Sequence, residues 1–235
     1  MKFEPTRWSL IVAAGQRGGR DGPGALEELC KVYWAPIYAF IRRKGYSTEA
    51  AEDLTQGFLT SLIERNSLSS ADPVRGKFRT FLLACVQNYL AKELRRENTE
   101  KRGGKVIFTP LRGLDQIERL AIQAAHDRTP EQSFERQWAL TVLAQSLKRL
   151  EENWKKKGKA EEFEALKPVL TGELGKVPYG ELAERLKRTP NAVKILVHRL
   201  RTNFGQVLRE EIAQTLTENE DTDAELRYLL EVLQK

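Results

Sequence analysis

The sequence predicts an all-α protein of two helical domains joined by a flexible linker. Three observations predict this. Apolar residues recur at helical spacing along almost the whole chain, and no stretch shows the period-two alternation of a half-buried strand. The pattern fades between residues 98 and 128, where ENTEKRGGKVIFTPLRG is crowded with charge and interrupted by Gly and Pro. On both sides of that gap Ser or Thr precedes acids or proline, the chemistry of helix starts. The expected organisation is a first domain over 1–97, a linker over 98–128, a second domain over 129–212, and an acidic tail with a short helix over 213–235.

The chain has 235 residues, 40% of them hydrophobic and 31% charged, which is enough for two small cores. The net charge of +6 is mildly basic, so the distribution of charge, not its sum, has to identify an anionic partner. Cys30 and Cys85 stand outside any CxxC or histidine cluster. Neither a disulfide framework nor a metal site is expected, and a reducing compartment is. The apolar run Trp8–Ala14 is too short to span a bilayer and lacks the flanks of a signal peptide. A cytoplasmic protein without membrane insertion is the expectation.

Taken in order, residues 5–14 predict a short helix and GQRGGRDGPG (15–24) a breaker. No GK[ST] follows it, so a phosphate-cradling loop is not indicated. Residues 25–44 place Leu26, Leu29, Cys30, Tyr33, Ile37, Phe40 and Ile41 on one stripe, with Pro36 inside. Gly45 ends that helix and Ser47 or Thr48 caps the next. This second helix, 48–65, sets Ala51, Leu54, Phe58, Leu62 and Leu59 toward a core and Glu52, Asp53 and Gln56 opposite. A polar loop follows, then a helix over 78–96. Its aromatic residues Phe78, Phe81 and Tyr89 read as core rather than as stacking platforms for bases. Lys92, Arg95 and Arg96 open a second basic region. A short helix is expected at 114–125. Thr129-Pro130-Glu131 starts a helix over 131–154 that carries Phe134, Trp138, Leu140, Thr141, Leu143, Leu147 and Leu150. KKKGKA breaks it, and another helix covers 160–170.

Residues 179–209, YGELAERLKRTPNAVKILVHRLRTNFGQVLR, read as helix, tight turn, helix. Tyr179, Leu182, Ala183 and Leu186 stripe the first helix. Thr189 caps the second and Pro190 opens it. At about 100° per residue, Val193, Leu196, Val197 and Leu200 face a core, while Asn191, Ile195, His198 and Thr202 lie opposite, flanked by Lys194 and Arg199. From Arg185 to Arg209 there are seven Lys/Arg and no acid, whereas a helix that merely faces water mixes signs. The expected partner is a polyanion, reached through a major groove. From Glu210 to Leu226 the charge reverses, with seven acids and no Lys or Arg. This segment is read as a solvated tail ending in the helix AELRYLLEVLQ.

These residues resemble a family. Asp53-Leu54-Thr55-Gln56-Gly57-Phe58 looks like the Asp-Leu-x-Gln-Glu-x-Phe stretch of sigma region 2, and residues 75–96 are similar to the helix that follows it there. Residues 131–209 resemble sigma region 4, most specifically at Ala192-Val193-Lys194 and His198-Arg199-Leu200-Arg201. The resemblance, covering most of 25–210, is to the extracytoplasmic-function sigma factors of RNA polymerase, within the sigma-70 family. It implies Asp53 and Gln56 as polymerase contacts. It implies a minus-ten surface from Arg75, Lys77, Arg79, Asn88, Lys92, Arg95 and Arg96, with the loop Asn66–Val74 capturing a flipped base. It implies a minus-thirty-five surface from Arg188, Asn191, Lys194, Ile195, His198, Arg199 and Arg201. The implied partners are core RNA polymerase and promoter DNA, and an anti-sigma factor could be among its regulators. The chain departs from the family in Gly57, where Glu is usual, in Lys187, where the turn usually has Gly, and in a longer tail.

No catalytic constellation accompanies this. The two histidines stand apart, and no GxSxG or metal-ligand pair occurs, so neither enzyme activity, cofactor nor metal is expected. A helix-turn-helix transcriptional regulator acting without polymerase docking is the competing expectation.

Overall fold

A computed structural model describes residues 22–64, 68, 71, 76–100, 128–171, 179–216 and 220–234. The expected helices at 5–14 and 114–125, most of the 66–74 loop, and Arg75 lie outside the described residues. Every described element is a helix, and no strand occurs among the described residues. In chain order they are α1 (Gly22–Arg43), α2 (Thr48–Glu64), α3 (Phe78–Glu100), α4 (Pro130–Lys156), α5 (Ala160–Leu166), α6 (Pro168–Thr171), α7 (Tyr179–Leu186), α8 (Pro190–Ala213) and α9 (Thr222–Gln234). The breaker ends earlier than expected, since α1 already begins at Gly22. The expected 160–170 helix is two short ones meeting at Lys167-Pro168.

The chain forms two compact units, residues 1–141 with 213–235, and residues 142–212. This differs from the expected division at 128/129. The first turns of α4 bury Phe134 and Trp138 (0% and 1% exposed) within the first unit, and the tail belongs to that unit as well. A helix-start signal locates where an element begins, and does not say whose core its residues enter.

In the first unit, α1 is buried nearly all round from Val32 to Ile41, not along one stripe, so it is a central helix. It packs on α2, and α2 packs on α3. Ser47 caps α2 through the Ala50 amide at 3.2 Å. The inner face of α2 holds Ala51, Glu52, Thr55, Phe58, Leu59 and Leu62. Glu52 thus sits among the apolar residues instead of opposite them, and Leu54 is only half-buried. Phe78 is core and meets Tyr33 edge-on at 5.2 Å, while Phe81 and Tyr89 are half-buried, Tyr89 meeting Phe58 at 5.6 Å. The same Tyr89 explains Gly57, because a Cβ there would come within 2.5 Å of the phenol oxygen. Glycine leaves room on α2 for the Tyr89 hydroxyl.

The start of α4 is a capping box. The Gln132 amide donates to Thr129 Oγ1 at 3.2 Å, and the Thr129 amide donates to Gln132 Oε1 at 2.9 Å. In the second unit, the end of α4 packs Leu150 and Trp154 with Phe163, Leu166, Leu182, Ala183, Val193, Leu196, Val197, Leu200 and Val207. Gly158 (φ 70°) closes α4 in the left-handed conformation, with the Lys159 amide reaching back to the Trp154 carbonyl at 3.0 Å.

Candidate nucleic-acid interface

The second unit presents the predicted helix-turn-helix. Leu182 and Ala183 of α7 and Val193, Leu196, Val197 and Leu200 of α8 are all under 8% exposed and share one core. Burial of Val193, Leu196, Val197 and Leu200, at roughly 1.5–3 kcal/mol each, fixes the rotation of α8. The opposite face is thereby set outward: Asn191, Lys194, Ile195, His198, Arg199, Arg201 and Thr202 are exposed, Ile195 to 60%.

The turn between the two helices is a Schellman motif. The Lys187 amide donates to the Glu184 carbonyl at 3.1 Å and the Arg188 amide to the Ala183 carbonyl at 2.9 Å. Lys187 holds φ 51°. It is the same closure that Gly158 makes at the end of α4, but with a side chain in the left-handed region, which costs about 1–2 kcal/mol. The substitution of Lys for the usual Gly is met by strain rather than by another turn. Thr189 caps α8, its hydroxyl accepting from the Ala192 amide at 3.3 Å. Arg188, assigned from sequence to DNA, ion-pairs with Glu162 of α5 and ties the turn to the rest of the unit. Its guanidinium is therefore engaged within the protein.

Between Arg185 and Arg209 the sequence itself carries no acid, and Glu162 of α5 reaches this stretch at Arg188. The nearest acids that follow turn away to another partner: Arg149 of α4 binds Glu210 at 3.1 Å and Glu211 at 3.0 Å. No family model, curated protein or solved structure matches this chain. What its surface can do is therefore read from its chemistry. Guanidinium and ammonium groups meet phosphates, the Asn191 amide can pair with an adenine edge, and an exposed Ile195 side chain suits a thymine methyl.

The first unit divides its predicted minus-ten residues into two groups. Asn88, Lys92, Arg95 and Arg96 are exposed along the later turns of α3, with Arg96 also 3.2 Å from Glu93. Lys77 and Arg79, at the start of α3, are engaged. Arg79 is 5% exposed, so the expectation that it lies open to DNA is corrected. Its guanidinium binds Glu135 of α4 at 2.9 Å and Glu225 of α9, and lies over the rings of Trp138 (4.3 Å) and Tyr228 (5.1 Å). Lys77 binds the other oxygen of Glu225 and lies 5.5 Å from the Tyr228 ring. Burial alone would lower the Arg79 pKa, but Glu135 and Glu225 more than offset it and raise it. Burial pushes the Glu135 carboxyl above the ordinary carboxylate range, against the pull of Arg79.

The tail is corrected too. α9 is docked, not solvated: Glu225 is 2% and Leu229 0% exposed. Asp221 starts the helix by accepting from the Asp223 amide at 2.9 Å. At the other end Arg136 donates to the Leu233 carbonyl at 2.7 Å, a cation at a helix C-terminus. The sequence carries a signal for this: AELRYLLEVLQ is amphipathic, and an amphipathic helix needs something to cover.

Asp53 is half-buried and Gln56 exposed on α2, one helical turn apart. Among the described residues no cluster of His, Cys, Asp or Glu could hold a metal, and no helix is long and apolar enough to cross a membrane.

Proposed function

We propose that this chain is a sigma factor of the extracytoplasmic-function type, which binds core RNA polymerase and directs it to promoters in a bipartite manner. The observation that carries this reading is the α8 surface. A core-locked helix behind a strained tight turn exposes Asn191, Lys194, Ile195, His198, Arg199 and Arg201 on a stretch with no acid. That surface suits the minus-thirty-five element. The exposed cations of α3 suit the minus-ten element, and Asp53 and Gln56 suit polymerase. The motifs of region 2 and region 4 that the sequence resembles fall on these same helices.

The test is in vitro transcription with purified bacterial core polymerase on a promoter library. The chain should co-elute with core enzyme and yield transcripts from a definable promoter class. Asp53→Ala should weaken its affinity for core enzyme, and Lys194→Ala should lower transcription while the protein remains folded. Tight, specific binding to promoter DNA without any affinity for core polymerase would replace this reading with that of a regulator acting alone.

A further inference from the structure

The acidic C-terminal helix occupies a cationic site that the proposed function needs open. α9 covers the start of α3, and its Glu225 carboxylate sits between Lys77 and Arg79, one oxygen to each. A carboxylate bridging an ammonium and a guanidinium beside aromatic rings does what a nucleic-acid phosphate would do in the same place. The helix is held there by apolar and polar contacts together, with Leu226, Tyr228, Val232 and Leu233 half-buried. Of its residues only Glu225 and Leu229 are buried, while Asp223, Ala224, Arg227, Leu230, Glu231 and Gln234 are exposed. Further ties are the Arg136 bond to the Leu233 carbonyl, the Tyr228 hydroxyl bond to Glu135 and the Tyr228 ring near both cations. A buried ion pair contributes little net stability over apolar residues of the same size, but its cations need an anion beside them, so Glu225 can leave only if another anion takes its place. Glu225 is the buried charge of this helix, and a phosphate could take its place between the two cations.

We infer that α9 is an internal phosphate mimic: it masks Lys77 and Arg79 in the free protein, and the backbone of single-stranded promoter DNA displaces it. The inference rests on the reading that the first unit binds promoter DNA, and names how that surface is regulated. In the free chain Lys77 and Arg79 are neutralised, while Asn88 and Lys92 are exposed for an initial encounter. A strand that has already docked there gains Lys77 when α9 leaves, together with the Arg79 face that Glu225 covered, while Glu135 keeps its own hold on Arg79. Promiscuous binding to nucleic acid is suppressed until a second surface is engaged.

The experiment uses the full-length chain and a fluorescent single-stranded oligodeoxynucleotide of random sequence, with no polymerase present. Glu225→Gln should raise affinity by about fivefold, the scale of one removed competing charge. The gain should shrink when Lys77→Ala is added. Unchanged affinity in Glu225→Gln, or an identical gain with Lys77 absent, would overturn the mask. If Glu225→Gln loses its cooperative thermal transition, the wild-type chain decides. Amide hydrogen exchange over residues 222–234 should accelerate on saturation with the oligonucleotide. Protection that stays constant at saturation would show α9 to be a permanent part of the unit. Failure of the chain to bind core polymerase, by contrast, would remove the sigma reading and leave these outcomes intact.

Discussion

The cations at the start of α3 and those along α8 carry the same charge and received the same assignment from sequence, yet their surroundings differ. Lys194 and Arg199 have an apolar core behind them and no acid on the stretch around them, so their charge points outward. Arg79 has Glu135, Glu225 and two aromatic rings around it and is nearly inaccessible. A local pattern can locate charge on a helix, but whether that charge is available depends on what the rest of the chain brings to it. In α8 the answer is contained in the helix and its immediate partner. In α3 it comes from Glu135 and Glu225, which lie far along the chain.

The largest effect should come from the closed site. Arg79→Ala leaves two carboxylates buried without their cation and is expected to destabilise the first unit by about 3–5 kcal/mol. Thermal or denaturant unfolding measures it. A change within about 0.5 kcal/mol would place Arg79 with the surface cations and erase the contrast. In the open site the entry to α8 should matter next. Thr189→Ala removes the hydroxyl that caps the Ala192 amide and should cost about 1 kcal/mol, with duplex affinity falling only as far as α8 frays. Lys194→Ala and Arg199→Ala should shift stability by less than about 0.5 kcal/mol, and each should lower the slope of duplex binding against log salt by about 1. An unfolded Lys194→Ala would mean that the outward face is structural.

A pH difference sharpens the same comparison with the smallest signal. The Glu135 carboxyl is raised above its ordinary value of 4.5 by burial. The folded state thus holds that proton more tightly than the unfolded state does. The stability it contributes is complete below pH 4.5 and is lost as pH rises through the raised folded value. Glu135→Gln should flatten this part of the profile, seen as a smaller change in Tm between pH 4.5 and 7 than in the wild type.

Most of the helices were legible in the sequence because their signals are local. Ser47, Thr129 and Thr189 cap where the sequence places them, and Gly45 and Gly158 end helices in the left-handed conformation. The outward set on α8 was legible because a strongly amphipathic helix has one rotation that buries Val193, Leu196, Val197 and Leu200 together. Glu52 was misplaced because a projection treats every acid as outward, although a glutamate at a stripe position has to follow its backbone inward. The docking of α9 and the burial of Arg79 were not legible, since they depend on contacts between residues far apart in the sequence. Gly57 and Lys187 were visible as departures from a pattern. Their meanings, room for the Tyr89 phenol and a lysine held in a glycine conformation, needed the neighbouring atoms.

The α4 helix has a practical consequence for anyone dissecting the protein. Phe134, Glu135 and Trp138 serve the first unit, and Leu150 and Trp154 the second, along one uninterrupted rod. A fragment ending before residue 128 would lack the indole and the carboxylate that accompany Arg79, and one beginning at Thr129 would carry those groups with nothing to cover. A gene truncated at the charged, glycine-containing stretch, where the sequence invites the scissors, would therefore give two damaged pieces rather than two domains.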